Sequence, residues 1–491
     1  MNSKVIVYNL GKILKLEGFL FAIPILFGVY YSEKKATISL CIVAFLSIAA
    51  GFLLSIKAPE KKTIRAREGL VITGLAWIIL SMVGSIPFII AGAIPSFTDA
   101  VFETASGFTT TGASIITDLE VIPRSLLMWR SLTHWIGGMG ILMFMLIFIP
   151  SSADEMNIMR AESPGPSVEK MVPKVRETAL ILYSIYFVMT VVLITALFIA
   201  GMPLFDSICI SFGTAGTGGF GVHGDSIAGY SHACQVIITI GMVMFGVNFN
   251  LYCLIVMRKF KDILHSEEVI SYLVIYFTAT ALVTLGTFNG LIEGFGWDGA
   301  AGFDNLYDAF HHSAFQVASI MTTTGFATTD FNLWASMPKA VMVFIMFIGA
   351  CAGSTGGGLK VSRWILYNKQ ICHEIERLVH PNAVTKVRLD GKVVDDKTIR
   401  TANVFLMSFV FIFVLSLMIV SFDGFDLVSS FTAVAATMNN IGPGLGEVGP
   451  LGGFSNFSNL SKWVLIIDMI AGRLELFPIL ILISPNTWRR K

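Results

Sequence analysis

Charge is scarce in this 491-residue sequence: Asp, Glu, Lys and Arg make up 14% of it, against 54% hydrophobic residues. So few charges cannot cover a soluble surface, and apolar runs of about 20 residues, each long enough to cross a bilayer, recur along the chain. The chain reads as a polytopic membrane protein. Cysteine is scarce too. The six present (Cys41, Cys209, Cys234, Cys253, Cys351, Cys372) mostly lie in or beside apolar runs without C-x-x-C or metal-ligand spacing, which implies free thiols and no disulfide framework. His134 and the pair His311-His312 stand alone, and HEIER at 373–377 is not H-E-x-x-H, so no transition-metal site is expected. Clustered intramembrane His, Asp or Glu at catalytic spacing is also missing, which argues against a membrane enzyme. Two nucleotide-like strings fail on context. GTGGFG at 216–221 follows no strand, and in GSTGGGLK at 353–360 Leu359 separates the last glycine from the lysine. No covalent or redox cofactor and no nucleic-acid partner is expected. Finally, MNSKVIVYNLGKILKLEGFLFAIP lacks a small-residue cleavage site, so it reads as a retained first helix.

What is present is a repeat. Apolar segments at about 10–31 and 36–57 form a hairpin. Then a pattern of span, short half-crossing helix, polar loop and span occurs four times, with spans at about 68–92 and 124–150, 176–201 and 230–257, 267–293 and 336–366, and 400–422 and 460–483. The fold class expected is an all-α polytopic membrane protein with four tandem span–pore-loop–span repeats around a pseudo-fourfold pore, plus the N-terminal hairpin, giving about 10 transmembrane helices. The units are placed at 1–60 (hairpin), 61–157, 158–262, 263–380 and 381–491. Basic residues concentrate at the N-terminus, at 57–67, 160–176, 258–261 and 369–400, and in the terminal WRRK. By the positive-inside rule those segments and both termini are cytoplasmic, with Lys34 and Lys35 as the departure.

Each short helix carries an aspartate at its start: Asp99, Asp206, Asp308 and Asp426, expected to cap free N–H groups and complement the dipole. Its other end leads into TTTG at 109–112, GTGG at 216–219, TTTG at 322–325 or NNIG at 439–442. Irregular backbone at membrane depth is tolerated only inside protein or along a water-filled path, so these loops should line a pore. Their carbonyls and hydroxyls could replace a cation's hydration shell.

These four units, together with GACAGSTGGGLKVSRW at 349–364 and DMIAGRLELFP at 468–478, resemble the Trk/Ktr/HKT superfamily of potassium transporters over essentially the whole chain. With its extra N-terminal helix pair the chain is more similar to the bacterial TrkH/TrkG membrane subunit than to the shorter KtrB type. The resemblance implies a single-chain pore for K+ with a filter built from Thr110, Thr111 and Gly112, Thr217, Gly218 and Gly219, Thr323, Thr324 and Gly325, and Asn440, Ile441 and Gly442. In that superfamily a serine replacing a filter glycine goes with sodium permeation, so four glycines favour potassium. In the second loop Gly218 could hold the central place, although Gly219-Phe220 matches Gly325-Phe326.

The resemblance also implies a gate. The Gly-rich stretch with Gly349, Gly353, Gly356, Gly357 and Gly358 should break the third unit's second span and obstruct the pore's cytoplasmic half. Arg473, in an apolar run, should raise the barrier to cations, with Lys360 adding to its field. An ion pair of Arg473 with Asp468 or Glu475 is the alternative. VTKVRLDGKVV, in the largest cytoplasmic connection, carries a hairpin signal around Asp390-Gly391. What the family implies is potassium uptake across the bacterial inner membrane by a lipid-embedded homodimer, regulated by a cytosolic TrkA-type nucleotide-binding ring. Proton- or sodium-coupled symport, or a less selective K+/Na+ pathway, remains open. An alternating-access transporter usually carries inverted repeats, whereas these four run in one orientation.

Overall fold

The computed structural model describes residues 2–59, 64–140, 175–256, 258, 266–291, 301–381 and 386–488. Helices α1 (Ser3–Leu20) and α2 (Ala22–Tyr30) form one apolar span, and α3 (Lys34–Ser55) returns beside them. Then follow α4 (Ala66–Ala91), α5 (Phe97–Phe108) and α6 (Arg124–Met139). The same order continues with α7 (Val175–Ile199), α8 (Leu204–Gly216), α9 (His232–Phe245) and α10 (Phe249–Val256). The third set is α11 (Glu267–Thr287), α12 (Leu306–Met321), α13 (Ser336–Met346) and α14 (Val361–Val379). The fourth is α15 (Asp396–Val420), α16 (Leu427–Met438), α17 (Asn459–Arg473) and α18 (Phe477–Ile483).

Six of the described helical stretches are long and apolar enough to cross a membrane. On α3 and α15, Phe45, Leu53, Met407 and Phe411 are each 70% exposed or more, as expected of side chains that face lipid. The short helices differ. At 12 residues, α5 and α16 are about 18 Å long, well short of a hydrocarbon core of about 30 Å. They are buried within the bundle, where they end in loops rather than at a surface.

Packing closes the four sets into a ring. The helix that follows the short one in each set lies against the short helix of the next set, α6 on α8, α9 on α12 and α13 on α16, and α17 packs back onto α5. This closure makes the architecture pseudo-fourfold, with the N-terminal hairpin outside it against α4 and α6.

The second spans differ from the continuous helices expected of three of them. The expected break after α13 is present, but α9 and α10 also bend by 93° at Gly246–Asn248. The fourth span stops at Arg473 and resumes at Phe477 through Glu475 and Leu476, both in left-handed backbone. Helix α6 ends at Met139 with Gly140 at φ 81°; the rest of the expected 124–150 span, from 141, lies outside the described residues, as does most of the basic segment 160–176. Between α14 and α15 the hairpin forms as read, β1 (Arg388–Leu389) against β2 (Lys392–Val393), with Asp390 and Gly391 at φ 50° and 76°. Two consecutive positive φ values are what a type I′ turn requires.

Candidate functional site

The four short helices end in one backbone geometry. Thr111, Gly218, Thr324 and Ile441 donate their N–H groups to Ser106, Gly213, Ser319 and Ala436, five residues back, at 2.8–2.9 Å. The residue before each bond, Thr110, Thr217, Thr323 or Asn440, sits at φ 55–58°. This is the Schellman arrangement, in which a left-handed residue lets the following N–H satisfy a carbonyl of the last helical turn. Glycine usually holds that place; here Thr holds it three times and Asn once, at an intrinsic cost of about 1–2 kcal/mol each for the threonines. Such conformers persist where the surroundings over-determine them.

Two residues later the backbone turns again. Gly112, Gly219, Gly325 and Gly442 have φ of 81°, 74°, 89° and 97°. The equivalence puts Gly219, not Gly218, in register with the other three, with Gly218 matching Thr111. Close approach demands glycine as well. A Cβ on Gly112 would overlap the carbonyl oxygen of Gly218, on Gly219 that of Thr324, on Gly325 that of Ile441, and on Gly442 that of Thr111. Each glycine thus abuts the residue before the next glycine, all the way round. The four glycines line one cavity of about 340 Å³ on the side away from the short helices, with Ser114, Phe220 and Pro443.

The side chains are less symmetric. Thr109 and Thr322 hydroxyls bond Thr111 and Thr324 hydroxyls at 2.7 Å, while Gly216 has no side chain to do so in the second loop. Asn440 Nδ2 donates to Thr111 Oγ1 at 3.0 Å and to the Met469 carbonyl at 2.8 Å, joining the fourth loop to the first. Thr110 Oγ1 and Asn440 Oδ1 are buried oxygens with no hydrogen-bond partner.

On the opposite side the stretch between α13 and α14 presses against the loops. Gly357 N donates to Thr323 Oγ1 at 2.6 Å, a Cβ on Gly356 would lie 2.9 Å from the Thr322 carbonyl, and one on Gly357 would overlap that of Asn439. Gly349, Gly353 and Gly358 have positive φ, and Gly349 and Gly358 touch, so the stretch folds back on itself. It is tied to the break between α9 and α10 by Cys351 N to Gly246 O and Phe249 N to Gly353 O, both 3.0 Å. Glu268 accepts from Ala352 N at 2.6 Å. Lys360 Nζ donates to the Gly356 carbonyl, inside the stretch itself.

Arg473 completes this arrangement. Its guanidinium donates to Thr355 O at 2.7 Å and to Gly137 O and Gly138 O at 2.5 and 2.6 Å, linking the Gly-rich stretch to the end of α6. The two carboxylates weighed as its partners are engaged elsewhere: Glu475 pairs with Arg363, and Asp468 accepts from Ser416 at 2.8 Å.

Other expectations need correction. Of the four aspartates only Asp426 caps, accepting from Val428 N and Ser429 N. Asp99, Asp206 and Asp308 lie inside the first turn; Ser96 and Asn305 are the caps there, and Asp99 pairs with Lys462 at 2.6 Å. His311 is not alone either: it stacks on His232 at 4.8 Å and meets Gln235 at 2.7 Å, although no group of potential metal ligands occurs among the described residues. Sequence reading missed the buried pair Glu103–Arg130, 2.5 Å apart. Glu103 accepts from Ser114 and Ile115, and Arg130 donates to Gly221 O and lies 3.4 Å over the Phe220 ring, bracing the first two loops together. A charge at each of two positions on separate short helical runs carries no spacing signal; only their burial does.

A ring of four half-crossing helices, each ending at a glycine turn beneath a shared cavity, defines a multi-pass membrane protein built around a central path. The chain belongs to the TrkH family: the family model, described as a cation transport protein, matches residues 37–490. The chain is 37% identical over 456 residues to the Trk system potassium uptake protein TrkH of Salmonella typhimurium, covering 91% of each. It is 31% identical to the Trk system potassium uptake protein TrkG of Escherichia coli, covering 99% of each. The crystal structure of the potassium transporter TrkH from Vibrio parahaemolyticus superposes with a TM-score of 0.87 at 33% identity, covering both chains completely.

Proposed function

We propose that this chain is the potassium-translocating membrane subunit of a Trk-type uptake system. The observation that carries the reading is the closed ring of Gly112, Gly219, Gly325 and Gly442, each against the carbonyl of the next loop. Oxygens of the four loops take over coordination of K+ as it sheds water, and the unpartnered Thr110 Oγ1 and Asn440 Oδ1 are further oxygens at that level. The Gly-rich stretch and Arg473 then act as the gate, a reading supported by the contact of Gly357 with Thr323 of the third loop and by the hold of Arg473 on Thr355. A membrane potential supplies about 2.3 kcal/mol per charge per 100 mV, enough to draw the cation inward. The reading extends to the unit boundaries 1–60, 61–157, 158–262, 263–380 and 381–491. It places the chain in the bacterial inner membrane, with cytoplasmic termini, as a homodimer carrying a TrkA-type ring. The chain itself is a transporter and not an enzyme.

The test is cation flux in liposomes holding the full chain, with potassium, rubidium, sodium and lithium, for the wild type and Gly325→Ser. Potassium and rubidium should pass in preference to sodium and lithium, and the substitution should lose that preference. A wild type that moves no cation, or a substitution that leaves selectivity unaltered, sinks the reading.

A further inference from the structure

A second cavity, of about 880 Å³, lies beside the first at the same end of the bundle, and Leu119 and His223 line both. The N-terminal hairpin, the start of α6 and the start of α8 form its walls, so it faces the bundle's outside rather than the central path. Its apolar rim is open: Leu26, Tyr30 and Leu204 are 69%, 79% and 55% exposed. At the depth where a span ends, such a rim meets lipid, and the volume is within the about 300–1,000 Å³ of small-molecule sites.

The polar groups are separated by sign. Arg124 is exposed, with its guanidinium 4.8 Å over the Tyr31 ring and 5.6 Å from that of Phe205, stacking that leaves the N–H fork open at its edge. Among the described residues no carboxylate lies within ion-pair distance of it; Glu33, near in space, is occupied by Arg124 N, Ser125 N and the Ser125 hydroxyl. A third cavity, of about 420 Å³, adjoins the second through Glu120, Asp206 and His223 and adds Asp225 and Tyr230. Asp206 there accepts from Tyr230 at 3.1 Å and has His223 Nε2 at 3.6 Å, which leaves the polar cavity an excess of negative charge.

The geometry points to a binding site for a phospholipid with a primary-amine headgroup: acyl chain in the large apolar cavity, phosphate on Arg124, ammonium among Glu120, Asp206 and Asp225. A guanidinium fork matches phosphate oxygens bidentately. The neighbouring carboxylates repel a headgroup that is anionic overall and want three N–H donors, which choline lacks and ethanolamine has. The occupant would wedge the N-terminal hairpin against the first two units.

The test is native mass spectrometry of the full chain in detergent with added phosphatidylethanolamine, phosphatidylglycerol or phosphatidylcholine. Phosphatidylethanolamine should be retained in preference to the other two by up to about fivefold, the upper end for one exposed charge contact. Arg124→Ala should cut its retention by a similar factor and Arg124→Lys restore part of it. Glu120→Gln with Asp225→Asn should erase the preference over phosphatidylglycerol while some lipid is still retained. All three positions carry exposed side chains, and a melting curve matching the wild type checks that each variant is folded. Equal retention of the three lipids, or retention indifferent to both sets of variants, overturns the proposal. Neither outcome bears on cation flux, so this site and the central path fail separately.

Discussion

Removing the Arg473 guanidinium should raise basal flux, and the structure sets the scale. Among the described residues the side chain makes three hydrogen bonds to backbone carbonyls, of Thr355, Gly137 and Gly138, at 2.5–2.7 Å. Hydrogen bonds to a charged donor are worth about 1.5–3 kcal/mol each, and they are not additive. Only the bond to Thr355 holds the Gly-rich stretch directly, so one bond is the conservative figure. A loss of about 1.5–3 kcal/mol multiplies the population of the displaced stretch by about 10–150, if displacement starts as the minor state. Arg473→Ala should therefore raise rubidium uptake into proteoliposomes by about tenfold or more at equal protein incorporation. Arg473→Lys keeps the positive charge but loses the planar fork that spans three carbonyls. Its flux should fall between wild type and Ala, which separates the latch from the electrostatic barrier. Unchanged or reduced uptake by a correctly inserted Arg473→Ala protein would refute the gate role.

Glu268→Gln replaces the carboxyl group that accepts from Ala352 N and should loosen the same stretch by about 1–2 kcal/mol; the check is basal uptake, raised by about 5- to 30-fold, with no change in ion preference. Glu103→Ala or Arg130→Ala strands a buried charge and should cost about 3–5 kcal/mol, read as a large drop in thermal midpoint. A double-mutant cycle showing simple additivity would mean the pair is not coupled. Asn440→Ala removes two donors joining the fourth loop to the first and to α17, at about 1–3 kcal/mol together. Asn440→Thr, which copies the residue of the other three loops, should be milder in a melting assay; the opposite ranking would contradict the linkage.

The parts of the fold legible in advance were those written in local pattern. Hydropathy marked the spans, and the fourfold recurrence of short helix and glycine turn marked the repeat, because both are periodic along the chain. Asp390-Gly391 announced its hairpin because two positive φ values suit few residues. The breaks after α9 and α17 were hidden. Gly246, Asn248 and Pro478 weaken a helix without fixing where it breaks, and what stabilises those breaks comes from elsewhere: the Gly353 carbonyl for Phe249 N, and Arg363 for Glu475. The aspartates were misread for a related reason. A carboxylate near a helix start suits the dipole at Ncap or in the first turn alike, and boundaries shift by one or two residues without changing the pattern.

The sequence by itself determined which residues repeat, and so which glycines end each short helix, since those requirements are local backbone conformation. It could not say in what order the loops meet. That Gly112 lies against Gly218, Gly325 against Ile441 and Gly442 against Thr111 follows only from the packing of α6 on α8, α13 on α16 and α17 on α5. Nor could it say that Arg473 grips carbonyls of the first and third units instead of its sequence neighbours Asp468 or Glu475. Contacts between residues hundreds of positions apart are set by how the faces of the helices fit, and no local pattern encodes that fit.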